Sequence, residues 1–372
     1  MWQKSIGRSS PASAPREVEY KRRVPDDSHI FRMTDDTGIF QHAKYSVPDP
    51  AHGYTTDDNA RALLVAAMLW ERFGFPEYLD LAYIYLRFVL GAKNGDGFRN
   101  FMDYNRQFPE ATGSEDCFGR VIWSLGYVVS SSLLPRGLRQ TAGFLLQEIS
   151  GRSERLQSVR GKAFSLLGLS LWGGADPRLI RKLAGDLVRL YQQNTGEGWR
   201  WFEEKLTYGN ALIPLSLLEA FGRAPERKWL ETGLASLDFL LETTIREGVF
   251  QPVGCKGWYE RGKEIAVYDQ QPVEAGETVL ACVKAYRLTK ERRYLEAAKT
   301  SYDWFLGKNI AGVSLIDPDT GGCMDGITPD GPNRNEGAES LISWFLAWLV
   351  WDEVRSEALY PVTKRVTKLY SV

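Results

Sequence analysis

The stretch TTDDNARALLVAAMLW, residues 55–70, opens on two threonines, two aspartates, an asparagine and an arginine, then turns almost wholly apolar. A surface helix shows one dry face at a period near 3.6 residues. This one is dry all round after its first turn, as a helix packed on every side must be. The form returns five times: SEDCFGRVIWSLGYVV (114–129), SVRGKAFSLLGLSLW (158–172), LTYGNALIPLSLLEAF (206–221), QPVEAGETVLACVKAY (271–286) and NRNEGAESLISWFLAW (333–348). Internal repetition of this kind decides an architecture before any single element does.

Each of the first five is followed by a helix of another character, among them PEYLDLAYIYLRFVLGA, PRLIRKLAGDLVRLYQQN and ERRYLEAAKTSYDWFLGKN. These mix charged and apolar residues at helical period, so they bury one face and wet the other. A buried helix followed by an amphipathic helix, repeated, describes a ring of two layers. Small residues on the inner helices (Ala60, Ala62, Ala66, Ala67, Gly161, Ala163, Gly168, Ala275, Gly276, Ala281) allow close approach in a crowded circle. The sixth outer helix is expected from the N-terminal segment or the C-terminal tail. Strands are minor: NGDGFRNFMDY (94–104), NTGEGWRWFEEKLTY (194–208) and EGVFQPVGCKGWY (247–259) read as short hairpins or extended loops, each just before an inner helix. They belong at one mouth of the ring.

Parallel inner helices bring their amino-terminal ends, with free N–H groups and the positive end of the dipole, to that mouth. The acids there are Asp57, Asp58, Glu115, Asp116, Glu274, Glu277, Glu336 and Glu339. Taken singly, each is explained by capping: Thr55 or Thr56, Ser114 and Asn335 are good N-caps, and first-turn acids stabilise a helix by roughly 0.3–1 kcal/mol. Taken together, eight carboxylates on one concave surface repel unless arginines or ligand hydroxyls compensate. Arg61 and Arg120 are the nearest compensators. Aromatic side chains make up 12% of the chain, many beside glycines in the mouth segments. Carboxylates and amides beside aromatic faces suit a sugar, whose C–H faces stack while its hydroxyls take hydrogen bonds. Trp199, Trp201, Trp258, Tyr259, Phe98 and Tyr208 are candidates for the faces; Asn59, Asn210, Gln270 and Gln271, with the arginines and Glu339, for the polar edges.

The remaining composition limits the alternatives. A net charge of −1 over 372 residues leaves no basic footprint for nucleic acid and no attraction to anionic membranes. Residues 1–16 lack the apolar core of a secretory signal, and residues 1–20 read as a flexible lead-in to a single domain over 21–372. The longest apolar run, LISWFLAWLVW (341–351), is too short to span a bilayer. Cys117, Cys255, Cys282 and Cys323 are scattered, which reads as reduced thiols in a cytoplasmic protein with no zinc site. No metal and no cofactor is expected.

The segments DDTGIFQHA, GYTTDDNARALL, SEDCFGR, LTYGNA, GWYERG, YDQQPVEA, TGGCMDG and NRNEGAES, spread over residues 35 to 350, resemble the six-hairpin glycosidase-like proteins. More narrowly, they resemble bacterial glycosidase-like proteins associated with glycosyltransferases and mannoside-processing enzymes. The resemblance implies an all-α, (α/α)6 toroid fold, with six inner helices ringed by outer ones. It also implies a carbohydrate-active enzyme, an inverting glycoside hydrolase acting on a mannoside or similar oligosaccharide, with a glycosyltransferase as a conceivable partner. Two carboxyls serve inversion when they stand roughly 6.5–9.5 Å apart. Adjacent inner helices are spaced about 8–10 Å, so one of Asp57 and Asp58 with one of Glu115 and Asp116 is the leading pair. Glu274, Glu336 and the loop acid Asp269 are in reserve. Toroid epimerases use histidine, and of His29, His42 and His52 the last two flank the loop leading to Asp57. A sugar epimerase, a phosphorylase, a lyase and a non-catalytic glycan-binding module therefore stay open.

Overall fold

The helices of the computed structural model are α1 Ser28–Arg32, α2 Thr56–Phe73, α3 Pro76–Ala92, α4 Glu115–Ser130, α5 Arg136–Ile149, α6 Val159–Leu171, α7 Pro177–Asn194, α8 Leu212–Arg223, α9 Arg227–Thr244, α10 Pro272–Thr289, α11 Arg292–Phe305 and α12 Ala338–Leu359. Residues 25–359 are described; the expected lead-in over residues 1–20 and the tail beyond 359 lie outside them.

The even-numbered helices form the inner circle. Each packs on the next, from α2 through α4, α6, α8 and α10 to α12, and α12 returns to α2. Burial follows the expected division. In α6 every residue from Val159 to Ser170 is buried, whereas α7 buries Ile180, Leu183, Ala184, Leu187 and Val188 on one face. Small residues set the spacing where α4 meets α6: a Cβ on Gly126 would stand 2.1 Å from the carbonyl oxygen of Gly168, and one on Gly119 2.8 Å from that of Gly161. Gly276 of α10 approaches the Ser343 carbonyl of α12 in the same way, at 2.7 Å.

Two inner helices start later than the repeats suggest. Leu206 is drawn into a strand pair with Tyr259, and Asn210 bonds back to both backbone groups of Thr207, so α8 begins only at Leu212. Before α12, residues 331–333 pair with 326–328 in a hairpin. Asn335 is not a cap; it accepts from the Tyr45 amide instead. The amides of Gly337 and Ala338 are taken by Asp325 and by the Gln41 carbonyl. Thr55, Ser114 and Ser158 cap α2, α4 and α6 as expected.

The N-terminal segment supplies what stands in the sixth outer place among the described residues. Asp27 accepts from Tyr78 of α3, Thr34 bonds Tyr85 at 2.7 Å, and His29 bonds the Glu336 carbonyl at 2.9 Å. Residues 27–34, including the short α1, thus bridge the first outer helix to the approach of the last inner one. No described helix is long and apolar enough to cross a membrane.

Candidate functional site

The inner-helix starts are laced to one another, which places them at one mouth. Asp57 of α2 pairs with Arg120 of α4. Asp116 of α4 accepts from the Ser158 hydroxyl that caps α6 and from the Tyr208 phenol, at 2.6 and 2.7 Å. Glu115 receives the amides of Gln157 and Ser158 at 2.8 and 2.6 Å. Arg160 of α6 donates to the Tyr208 carbonyl and the Thr207 hydroxyl ahead of α8. Glu274 of α10 accepts from the Gly209 amide and the Asn210 side chain at 2.6 and 2.8 Å. Arg61 of α2 closes the circle on Glu339 of α12, at 3.0 Å. Five of the eight acids, Asp57, Glu115, Asp116, Glu274 and Glu339, are therefore clasps between neighbours, a role beyond capping that uses both their oxygens and their charge.

The open space lies to one side of this lacing, between the starts of α2, α10 and α12. It is a cavity of about 340 Å³, walled by Asp57, Asp58 and Arg61, by Asp269 and Gln271, and by Asp325, Gly326, Thr328, Glu339 and Ser340. His42, Gln41, Asn100, Phe101 and Cys255 complete its rim. That volume falls at the small end of ligand sites, roughly 300–1,000 Å³. A single antiparallel bridge sorts one wall: Gln270 pairs with Ile327, and these two turn into the core at 0% and 1% exposure. Side chains alternate along a strand, so Asp269, Gln271 and Thr328 turn into the cavity instead.

The carboxylates of the cavity differ in kind. Burial pushes against ionisation of Asp57, but the Arg120 and Arg61 guanidiniums outweigh it and hold the group below the usual range. Burial pushes Asp58 up to about 6, the neighbouring Asp57 and Glu339 charges reinforcing it against Arg61. Both oxygens of Asp58 are engaged, one by Thr55 at 2.6 Å and one by Arg61 at 2.8 Å. Asp325 is also pushed up to about 6 by burial, against bonds from Ser340 and Gly337. Those bonds, at 2.7 and 2.9 Å, both fall on its Oδ1. Asp269 meets Lys256 through Oδ2 at 3.3 Å, and its buried Oδ1 has no protein partner. Below the cavity, burial and then Glu274 push Glu277 well above the ordinary range. Burial likewise raises Glu274 and Glu336.

Several candidates lie elsewhere. Glu115, Asp116, Glu274 and Arg120 belong to the clasps and do not line the cavity. Glu336 is buried between Thr320, at 2.8 Å, and His29. Asn59 pins the Thr55 carbonyl and the Ile39 amide, and Asn210 is spent on Thr207 and Glu274. Gln270 is buried and accepts from Trp304 at 3.1 Å. Trp199 and Trp201 are core residues, packed edge-on against Phe239, Tyr259 and Phe202 rather than exposed at the mouth; Phe98 is buried as well. Tyr208 and Trp258 stand together near the mouth, ring centres 6.2 Å apart, with Arg160 over the Tyr208 ring. His42 lies on the rim, kept neutral by burial and by the edge of His52 at 4.8 Å.

Sequence reasoning missed Asp325 and Phe101. Asp325 sits in a loop, twelve residues ahead of Gly337, whose amide it takes at the approach to α12, and only the turn-forming glycines of TGGCMDG mark the place. Phe101 is 47% exposed on a cavity of polar residues, held there by pairing with Thr55. Among the described residues no three His, Cys, Asp or Glu side chains are grouped as a metal site needs.

No protein-family model matches the sequence, and no curated protein does. Solved structures do match. Cellobiose 2-epimerase from Bacillus thermoamylovorans superposes with a TM-score of 0.69 at 13% identity, covering 88% of this chain and 95% of that one. The GH76 α-mannanase of Bacteroides thetaiotaomicron gives 0.64 at 10%, covering 89% and 94%. The cellulase Cel9M of C. cellulolyticum gives 0.61 at 9%, covering 86% and 88%. The chain is an (α/α)6 toroid. At such identities the likeness carries the fold alone, and the reaction must be argued from the toroid's own side chains.

Proposed function

We propose that this toroid is a carbohydrate-active enzyme, an inverting glycoside hydrolase acting on a mannoside or similar oligosaccharide. The observation that carries the reading is the pair of carboxyl side chains lining one cavity: Asp325, pushed up to about 6 with its Oδ2 free of protein bonds, and Asp269, whose Oδ2 meets Lys256 and whose buried Oδ1 lacks any partner. The acid of such a pair must hold a proton near neutral pH, and the base must not. Asp325 donates its proton to the glycosidic oxygen as the bond to the anomeric carbon breaks. Water forms the new bond to that carbon, and its proton passes to Asp269. The two acids sit on opposite strands of the Gln270–Ile327 bridge, three residues out of register, so a gap separates them. Inversion requires such a gap, because the water must fit between base and sugar.

This assignment moves the pair away from α2 and α4. Asp58 has neither oxygen free, and Glu115 and Asp116 are engaged outside the cavity. Asp57, Gln271 and Glu339 then take sugar hydroxyls, Asp58 and Arg61 hold the wall behind them, and Phe101 offers a face for stacking. The mannoside is supported by the sequence resemblance, and an α-mannanase and a D-mannose isomerase share the fold. Residues 25–359 act as one catalytic unit in this reading.

His42 favours a second reading, a sugar epimerase. It is a neutral imidazole on the cavity rim, suited to take a proton from a carbon beside a carbonyl. Product mass separates the two. The purified protein is incubated with mannosides, glucosides and their disaccharides, and products are read by mass and anomeric form. Hydrolysis adds one water per bond and releases the inverted anomer; epimerisation leaves the mass unchanged. Asp325→Asn and Asp269→Asn should each lower kcat by a hundredfold or more, by about 10²–10⁴ for a lost general acid or base. Normal turnover in both variants would sink the assignment, and binding without turnover in the unaltered protein would mark a glycan-binding module.

A further inference from the structure

We infer that the cavity is built for an uncharged saccharide and rejects both anionic sugars and phosphate, so that water, not phosphate, is the nucleophile. The inference rests on the carbohydrate reading above but uses a different property of the site, its charge.

Five carboxylates line the cavity and Arg61 is the one permanent cation among its lining residues. That guanidinium is already committed. Its Nη2 lies 3.0 Å from Asp57, 2.8 Å from Asp58 and 3.0 Å from Glu339, while its Nε and Nη1, which have no hydrogen-bond partner, are buried away from the open cavity. Arg120 is turned to Asp57 and the Phe164 ring, and Lys256 at the rim to Asp269. His42 is kept neutral by burial. A phosphate or a uronate entering here would meet acids with no cation left to offset them, in a setting less screened than bulk water.

A toroid mouth has another means of holding an anion, the free amides at its helix starts. Most of those facing this cavity are occupied, the first-turn amides of Glu339 and Ser340 in α12 being the exceptions. In α2 the Thr56 amide donates to the Asn100 carbonyl, that of Asp57 to the Asn100 side chain, and that of Asp58 to the Thr55 hydroxyl. Ahead of α12 the amides of Gly337 and Ala338 are taken by Asp325 and Gln41, and α10 begins with Pro272, which has none. The side-chain cations are thus engaged, and the backbone route is narrowed to two amides that stand beside the Glu339 carboxylate itself. Hydroxyls meet no such obstacle, since carboxylates accept from them.

Binding and turnover are measured in parallel on the full chain. Equilibrium titration compares methyl mannoside and mannobiose with mannose 6-phosphate, a mannuronate and inorganic phosphate, at low and high salt. Neutral sugars should bind at least about tenfold more tightly than their anionic counterparts, the gap narrowing as salt screens the acids. Glu339→Gln, which removes one negative charge, should narrow the ratio several-fold. Added phosphate should leave turnover unchanged and yield no sugar 1-phosphate. Equal or tighter binding of an anionic sugar, or phosphate-dependent turnover, overturns the inference while leaving a carbohydrate enzyme standing. Selective binding of neutral sugars without turnover does the reverse. If no saccharide binds, both fall.

Discussion

Asp57 and Asp58 are adjacent in the chain and differ in every respect that matters. The first bridges Arg61 and Arg120 and stays charged; the second is closed in by Thr55 and Arg61 and is pushed up to about 6. Removing one partner of a buried ion pair leaves the other unpaired, which costs roughly 3–5 kcal/mol. Asp57→Ala strands the buried Arg120 guanidinium and leaves Arg61 to Asp58 and Glu339, so we expect a loss in that range by urea denaturation; a change below about 1 kcal/mol would show that water or Glu277 takes over. Asp325 gives a pH signature. As the proposed acid it must be protonated, so kcat/KM should fall as pH rises past about 6, and a flat profile from pH 5 to 8 would count against it. The sign for stability is parallel. A carboxyl raised on folding contributes stability below its unfolded value near 4 and loses it as pH rises through about 6. Asp325→Asn should therefore raise Tm at pH 8 by a few degrees and leave it nearly unchanged at pH 4.

At the scale of the element, glycine means two different things in this ring. Gly126 and Gly168 let α4 and α6 touch backbone to backbone; a Cβ on either would stand 2.1 or 2.2 Å from a carbonyl oxygen. Gly185 lies in α7 with nothing within 4 Å. Gly126→Ala should cost about 3 kcal/mol or more, because the helices must part. Gly185→Ala should add up to about 1 kcal/mol, the propensity difference in a helix interior. Thermal unfolding of both variants checks the contrast, and equal effects would refute the packing argument. Elements of this sort are legible in sequence: the all-round apolar runs located six inner helices, and small residues marked their contacts. Their starts were less legible at α8 and α12. There Leu206 and Asn333 serve a strand partner over fifty residues away or across a hairpin, and pairing overrides the local cap signal. The same limit explains the site. Acids on helix starts are visible from sequence spacing, and most of them proved to be clasps between helices. Asp325 and Phe101, on loops, are brought to the cavity only by tertiary pairing.

On the scale of the whole molecule, the decisive feature is closure. A solenoid of helix pairs is nearly one-dimensional, and loss of a terminal pair costs only that pair and its one interface. Here α12 packs on both α10 and α2, and Glu339 of the last inner helix meets Arg61 of the first. Leu341, Ile342, Phe345 and Ala347 of α12 are fully buried in that closure. Removing α12 exposes apolar faces on two neighbours at once and frees the Arg61 side of the cavity. Fully burying a large apolar side chain is worth about 1.5–3 kcal/mol, so these three large residues alone approach the whole stability of an ordinary domain, about 5–15 kcal/mol. A chain ending at residue 332 should then show no cooperative thermal transition, or none in soluble form, and no saccharide binding. A solenoid-like stack would instead keep a cooperative transition at a modestly lower Tm. Observing that outcome would mean that the hairpins hold one another in sequence and that the ring's closure contributes little.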